Sequence, residues 1–127
     1  MADTAPVIII GSGPIGLAAG IELKKRDIPF LIIEKGCLAN SIFHYPTNMT
    51  FFSTSDRLEI GGVPFISHGD KPTRREALEY YKRVATSFEL PAKLYESVQS
   101  ITGDDGHFTV TTDKDTSDAS QVVIASG

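Results

Sequence analysis

Val7-Ile8-Ile9-Ile10-Gly11-Ser12-Gly13-Pro14-Ile15-Gly16 is the stretch that decides the fold. Four apolar residues in a row read as a buried strand, and they run straight into a glycine turn. Leu17, Ala18, Ala19 and Gly20 continue with small residues, and Lys24-Lys25-Arg26 closes that segment with positive charge. A second apolar run, Phe30-Leu31-Ile32-Ile33, ends on Glu34. Strand, glycine turn, helix, strand, acid is the order that holds the pyrophosphate of a dinucleotide.

Each part of that order has a physical role. Gly11 permits the sharp exit from the strand, where a Cβ would clash. Gly13 lets the backbone approach the phosphates, and Gly16 lets the helix pack closely on the sheet. Pro14 suits the first helical position because an N–H there has no partner within the helix. The helix start offers free N–H groups, Ser12 lies inside the turn, and the partial positive charge favours phosphate. Glu34 is placed to accept hydrogen bonds from ribose hydroxyls. The spacing predicts a helix over 14–26 with Ile15, Ala18, Ala19 and Leu23 on its packing face.

The 127 residues amount to one domain or less. The chain is 41% hydrophobic and 22% charged with a net charge of −4, a balance that speaks against a nucleic-acid partner. A single cysteine, Cys37, excludes an internal disulfide and any CxxC pair, and is read as a small, partly buried hydrophobe. The polar opening Met1–Pro6 does not read as a signal peptide, and the apolar runs are far shorter than the ~20 residues of a membrane span. A cytoplasmic protein with no membrane partner is expected. His44, His68 and His107 share no metal-ligand spacing.

From 35 to 71 glycines, prolines and hydroxyl residues alternate with Phe43, Tyr45, Phe51, Phe52 and Phe65. A connection this long is functional or disordered, and its aromatic content argues for the former. Thr73-Arg74-Arg75-Glu76 is a capping box, so a helix begins at Arg74. Ala77, Leu78, Tyr81, Val84, Ala85 and Phe88 mark its buried face. Arg74, Arg75, Lys82 and Arg83 read as a solvated face. A hairpin is expected from 94–101 to 108–112, then a polar turn over 113–120 and a buried strand over 121–127.

The opening fingerprint and the terminal Val122-Val123-Ile124-Ala125-Ser126-Gly127 together resemble the FAD domain of two-dinucleotide-binding flavoproteins, whose second motif is an apolar strand ending in A-T-G. The segments I-E-K-G, Y-P-T-N-M-T-F-F-S-T-S-D-R-L-E-I-G and K-P-T-R-R-E-A-L-E-Y-Y are similar to the thioredoxin-reductase-like bacillithiol-disulfide reductases. This resemblance implies an α/β fold: a Rossmann-like three-layer FAD/NAD(P)-binding domain, with a parallel sheet, helices and an antiparallel β-meander. It implies FAD as cofactor, NADPH as reductant and a low-molecular-weight disulfide as substrate. Residues 1–127 are expected to form the N-terminal part of that FAD domain, which would be incomplete without an NADPH domain and a returning segment. Uncovered apolar surface and a bare strand edge then predict a homo-oligomer.

The resemblance places Gly11, Ser12, Gly13, Pro14, Ile15 and Gly16 at the pyrophosphate, and Glu34 and Lys35 at the adenosine. Val98 would meet the adenine through its backbone, Ala125, Ser126 and Gly127 would belong to the second motif, and Tyr45, Thr50 and Phe51 would lie near the flavin ring. The family's turn reads G-P-C-G, and its cysteine is the implied redox thiol. Ile15 stands there instead, and isoleucine can neither attack a disulfide nor form one. The alternatives are a fragment of a flavin-dependent monooxygenase and a nucleotide-binding module without catalysis.

Overall fold

The computed structural model describes residues 5–126. Four parallel strands make one sheet in the order β3-β2-β1-β7: β1 (Val7–Ile10), β2 (Phe30–Ile33), β3 (Ala92–Lys93) and β7 (Gln121–Ile124). Three antiparallel strands make a second: β4 (Val98–Asp104), β5 (His107–Thr112) and β6 (Thr116–Ala119). Helices α1 (Pro14–Lys25) and α3 (Arg74–Ser87) cover one face of the parallel sheet, and a single turn, α2 (Asn40–Phe43), lies in the connection.

Strand alternation sorts the isoleucines into two cores. Ile9 and Ile32 face the helices and pack with Leu17, Ile21, Tyr80 and Val84. Ile8 and Ile33 face the meander and pack with Val110 and Ala119. Both faces of β1 are therefore buried, which is why its sequence is continuously apolar rather than alternating. The three-layer α/β architecture expected from the sequence is present.

The packing face of α1 differs from the expectation. Gly16, Leu17, Gly20 and Ile21 are buried, whereas Ile15 is 72% exposed and Ala19 and Leu23 only border the core. The cause is the turn itself. A Cβ on Gly16 would stand 2.0 Å from the carbonyl oxygen of Gly11, so the helix presses Gly16 onto the strand exit and its rotation follows. The helix ends at Lys25, with Arg26 as its cap and Asp27 in the left-handed region.

Helix α3 begins as expected. The Thr73 N–H donates to Glu76 Oε1 at 3.0 Å, and the Glu76 N–H donates to Thr73 Oγ1 at 3.3 Å. Its buried face includes Tyr80, which the periodicity did not single out. The two tyrosines fasten the long connection to the helix. Tyr80 Oη donates to Val63 O at 2.6 Å and accepts from the Ile60 N–H at 3.0 Å, and Tyr81 Oη donates to Leu58 O at 2.7 Å. Phe65 stacks on the Tyr80 ring at 4.3 Å. Burial pushes the Tyr81 hydroxyl up to about 12. Arg74 is also not simply solvated: its guanidinium donates to Phe43 O at the end of α2.

Two further expectations are corrected. The polar turn over 113–120 shrinks to 113–115, because Thr112 Oγ1 accepts from the Lys114 and Asp115 N–H groups and closes it early. Thr116–Ala119 is then strand β6, whose Ala119 is buried opposite Phe108. Strand β7 is not buried throughout, since it pairs with β1 on one side and its Ile124 is 70% exposed.

Replacing Thr73 by Ala is expected to cost about 1 kcal/mol of stability, and Thr73→Ser much less, by thermal unfolding. The Thr73 N–H bond, then that from His68, holds the Glu76 carboxyl below its usual value. Its contribution is thus complete above the ordinary carboxylate range and fades as pH falls through the lowered value. Wild type and Glu76→Gln should accordingly converge in stability at the acid end of a pH series; curves that stay parallel there would contradict this role.

Candidate functional site

The carboxyl ends of β1, β2 and β7 open onto one cavity of about 340 Å³. Ligands of open α/β sheets bind in such crevices beyond the strand ends. Its walls include Gly11, Gly13, Glu34, Lys35, Val98, Ala125 and Ser126. Residues from four separate stretches of the sequence-predicted set thus meet around one space.

Gly11 and Ala125 are locked together. Gly11 has φ of +110°, and a Cβ there would lie 2.6 Å from Ala125 O. Its N–H donates to Ile33 O at 2.9 Å, while the Ala125 N–H donates to Ile10 O at 2.8 Å. The two glycine-bearing motifs therefore touch through backbone alone. Gly13 behaves differently: it lines the cavity, and a Cβ added to it would meet no protein atom within 4 Å. That is free space beside a helix start, the shape required for close approach of a phosphate.

Glu34 is buried at 6% exposure and held by three donors. Ser12 N–H and Ser12 Oγ–H reach Oε1 at 2.8 and 2.9 Å, and the Gly36 N–H reaches Oε2 at 2.8 Å. Ser12 is itself fully buried, so its hydroxyl serves the carboxylate rather than the cavity. Oε1 accepts from two donors, and Oε2 from one, which leaves Oε2 the capacity for a further donor.

The segment after β3 is stitched alongside the end of β2. Glu34 N–H donates to Lys93 O at 2.9 Å, Glu96 N–H to Glu34 O at 2.9 Å and Tyr95 N–H to Gly36 O at 3.1 Å. This places Glu96 and Ser97 in the cavity wall beside Glu34. Asn40 and Ser41 of α2 complete it. Sequence reasoning missed these four; Glu96 and Ser97 reach Glu34 across a strand pairing of two residues, and the only signal for Asn40 and Ser41 was their nearness to Glu34 along the chain.

Pro14, Ile15 and Gly16 form the helix start behind the cavity, with Ile15 exposed. Tyr45, Thr50 and Phe51 lie apart from it. Thr50 pairs with Thr73, the Phe51 N–H donates to Pro72 O at 2.9 Å, and the Tyr45 and Phe51 rings are 6.0 Å apart. Gly127 lies outside the described residues. Cys37 is a half-buried free thiol with Sγ 3.6 Å from Asn40 Oδ1. Among the described residues no group of three His, Cys, Asp or Glu side chains is arranged to hold a metal, and no helix is long and apolar enough to cross a membrane.

Glycine substitutions should separate packing from binding. Gly16→Ala forces its Cβ into the Gly11 carbonyl and is expected to cost at least 1–3 kcal/mol, roughly the range for overpacking. Gly13→Ala is expected to leave the melting temperature within about 1 °C while weakening dinucleotide binding, since ~1 kcal/mol moves a domain this size by several degrees. Loss of stability in Gly13→Ala without loss of binding would refute this division of roles.

Comparison with known proteins gives a consistent picture. Residues 8–127 match the pyridine nucleotide-disulphide oxidoreductase family. The bacilliredoxin reductase Bdr of Bacillus subtilis (strain 168) is 57% identical over 77 residues, covering 61% of this chain and 24% of that protein. The structure of the bacillithiol disulfide reductase Bdr from Staphylococcus aureus superposes with a TM-score of 0.94 at 45% identity, covering 99% of this chain and 39% of the other. A flavin monooxygenase from Stenotrophomonas maltophilia, in a mutant form, superposes with a TM-score of 0.91 at 26% identity, covering 99% and 39%. The chain thus spans about a quarter of the curated reductase it matches and two fifths of these solved structures.

Proposed function

The chain belongs to the pyridine nucleotide-disulphide oxidoreductase family, and from that premise we propose that it is the FAD-binding part of an NADPH-dependent flavoprotein oxidoreductase acting on a small-molecule disulfide. The observation that carries the cofactor reading is the pairing of an open flank at Gly13 with a buried, three-donor Glu34 on the same cavity. One feature suits a pyrophosphate and the other a ribose, at the ends of adjacent parallel strands. The similarity to the bacillithiol disulfide reductase Bdr of Staphylococcus aureus supports a low-molecular-weight disulfide as acceptor.

FAD, when bound, supplies the hydride chemistry, so no nucleophile–base pair is required of the protein. In this reading the Gly11–Gly16 turn and the start of α1 hold the pyrophosphate. Glu34 accepts from the ribose, Lys35 and the Val98 backbone flank the adenine, and Ala125 and Ser126 close the site from the second motif. Tyr45, Thr50 and Phe51 are the residues offered toward the flavin. The NADPH-binding domain belongs to the part of the family's length that this chain does not span. Self-association is proposed through the exposed edge at β7, where Ile124 is uncovered.

One observation favours a second reading. Ile15 leaves the glycine turn without a thiol, and the same fold superposes closely on a flavin monooxygenase. Electrons from the flavin would then pass to oxygen rather than to a disulfide.

The decisive experiment uses protein expressed from its complete reading frame. It is expected to purify yellow, to bleach with NADPH under nitrogen, and to regain colour on adding a low-molecular-weight disulfide. Recovery with oxygen and an organic substrate, but not with disulfide, selects the monooxygenase. A colourless protein that NADPH leaves unchanged overturns both.

A further inference from the structure

Two carboxylates are buried among the described residues, Glu34 and Glu96, and their hydrogen bonding is unequal. Glu34 accepts from three donors. Glu96, also 6% exposed, accepts from one: Thr112 Oγ donates to its Oε2 at 2.6 Å. Thr112 can give nothing more, because its hydroxyl has a single hydrogen, for which Asp115 O at 3.1 Å is an alternative acceptor, while the oxygen itself accepts from the Lys114 and Asp115 N–H groups. The nearest basic side chain in sequence, Lys93, pairs with Asp115 instead, at 3.9 Å.

The second oxygen of Glu96 has no partner among the described residues, and a buried acceptor left unmade is costly. No side-chain oxygen or nitrogen among the described residues is both sealed from solvent and unpartnered, so this oxygen is not sealed. Glu96 lines the cavity that Glu34, Lys35 and Val98 share, and that is the space onto which it opens.

We infer that Glu96 is a second acceptor for the adenosine half of the dinucleotide, taking a hydrogen bond from a neutral donor, either a ribose hydroxyl or the adenine amine. The inference rests on the FAD reading above and names a residue that reading did not include. Its position follows from the backbone: the Glu96 N–H on Glu34 O brings the two residues into one cavity wall, where the Glu34 carboxylate is held by three donors and that of Glu96 by one. Two adjacent buried acceptors also disfavour a phosphate on the ribose, since like charges repel strongly away from water. The cavity thereby selects plain adenosine over 2′-phosphoadenosine, which suits FAD rather than NADPH at this position.

The test compares wild type, Glu96→Gln and Glu96→Ala in the protein from its complete reading frame, stripped of flavin. Each is titrated with FAD, and with the FAD analogue whose adenine is replaced by hypoxanthine, by quenching of flavin fluorescence. Each is also melted without ligand. The amide of Glu96→Gln keeps an oxygen for Thr112 but presents an NH2 to the cavity, so both variants should bind FAD ten- to a hundredfold more weakly, about the worth of one hydrogen bond to a charged group. Ligand-free melting of Glu96→Gln should stay close to that of wild type, because the bond from Thr112 is kept, whereas Glu96→Ala loses that bond and is expected to melt lower. If the amine is the donor, wild type loses the same factor on the hypoxanthine analogue and the variants do not discriminate. If a ribose hydroxyl is the donor, the analogue follows FAD in all three proteins. Unchanged FAD affinity in both variants overturns the inference alone, as does a loss of affinity in Glu96→Gln matched by a lower ligand-free melting temperature of that variant. A wild type that binds no FAD overturns the parent reading and this one together.

Discussion

The structure depends on one close approach of backbone to backbone. Gly16 sits against the carbonyl of Gly11 with no room for a methyl group, and Gly11 in turn has none against the carbonyl of Ala125. These contacts fix where α1 leaves the sheet, how it is rotated and where β7 must end. Everything at the site inherits its position from them. They also explain why three glycines in one turn are not interchangeable: two are demanded by the protein's own atoms, and the third, Gly13, faces space that protein does not fill.

The second constraint is the attachment of a long, irregular connection to a regular helix. Backbone polar groups in such a segment need partners. The hydroxyls of Tyr80 and Tyr81 supply several of them to the stretch from Leu58 to Val63, while Phe65 stacks from the same side. The connection is therefore part of the core rather than a loop laid over it. Tyr80 joins large apolar burial with a polar tip that serves two backbone groups, a combination to which tyrosine is suited.

The legibility of the chain follows the range of the interactions involved. Strand β1, the turn, the α3 capping box and the hairpin are written in local sequence, because a glycine, a cap or an apolar run acts within a few residues. The face of α1 was not legible, since Ile15 and Leu17 are equally apolar and only the Gly16 contact chooses between them. Strand β6 was hidden for the opposite reason: Thr116-Ser117-Asp118-Ala119 carries no strand composition, and its pairing with β5 alone makes it one. At the site, Gly11, Gly13, Glu34 and Val98 were readable from motif and resemblance. Glu96 was not, because it arrives through long-range pairing, and Asn40 and Ser41 were not, because they lie on a single turn within an irregular connection.

The Ser12–Glu34 arrangement has a consequence for how a ligand is met. A glutamate on a surface has many rotamers, and immobilising such a side chain on binding costs about 0.5–1.5 kcal/mol. Glu34 has already surrendered that freedom: three donors from the turn and from Gly36 hold its carboxylate before anything enters the cavity. The ordering entropy was spent during folding. Because Ser12 belongs to the glycine turn, the same hydroxyl also ties that turn to the end of β2, so that the two sides of the cavity form a single template.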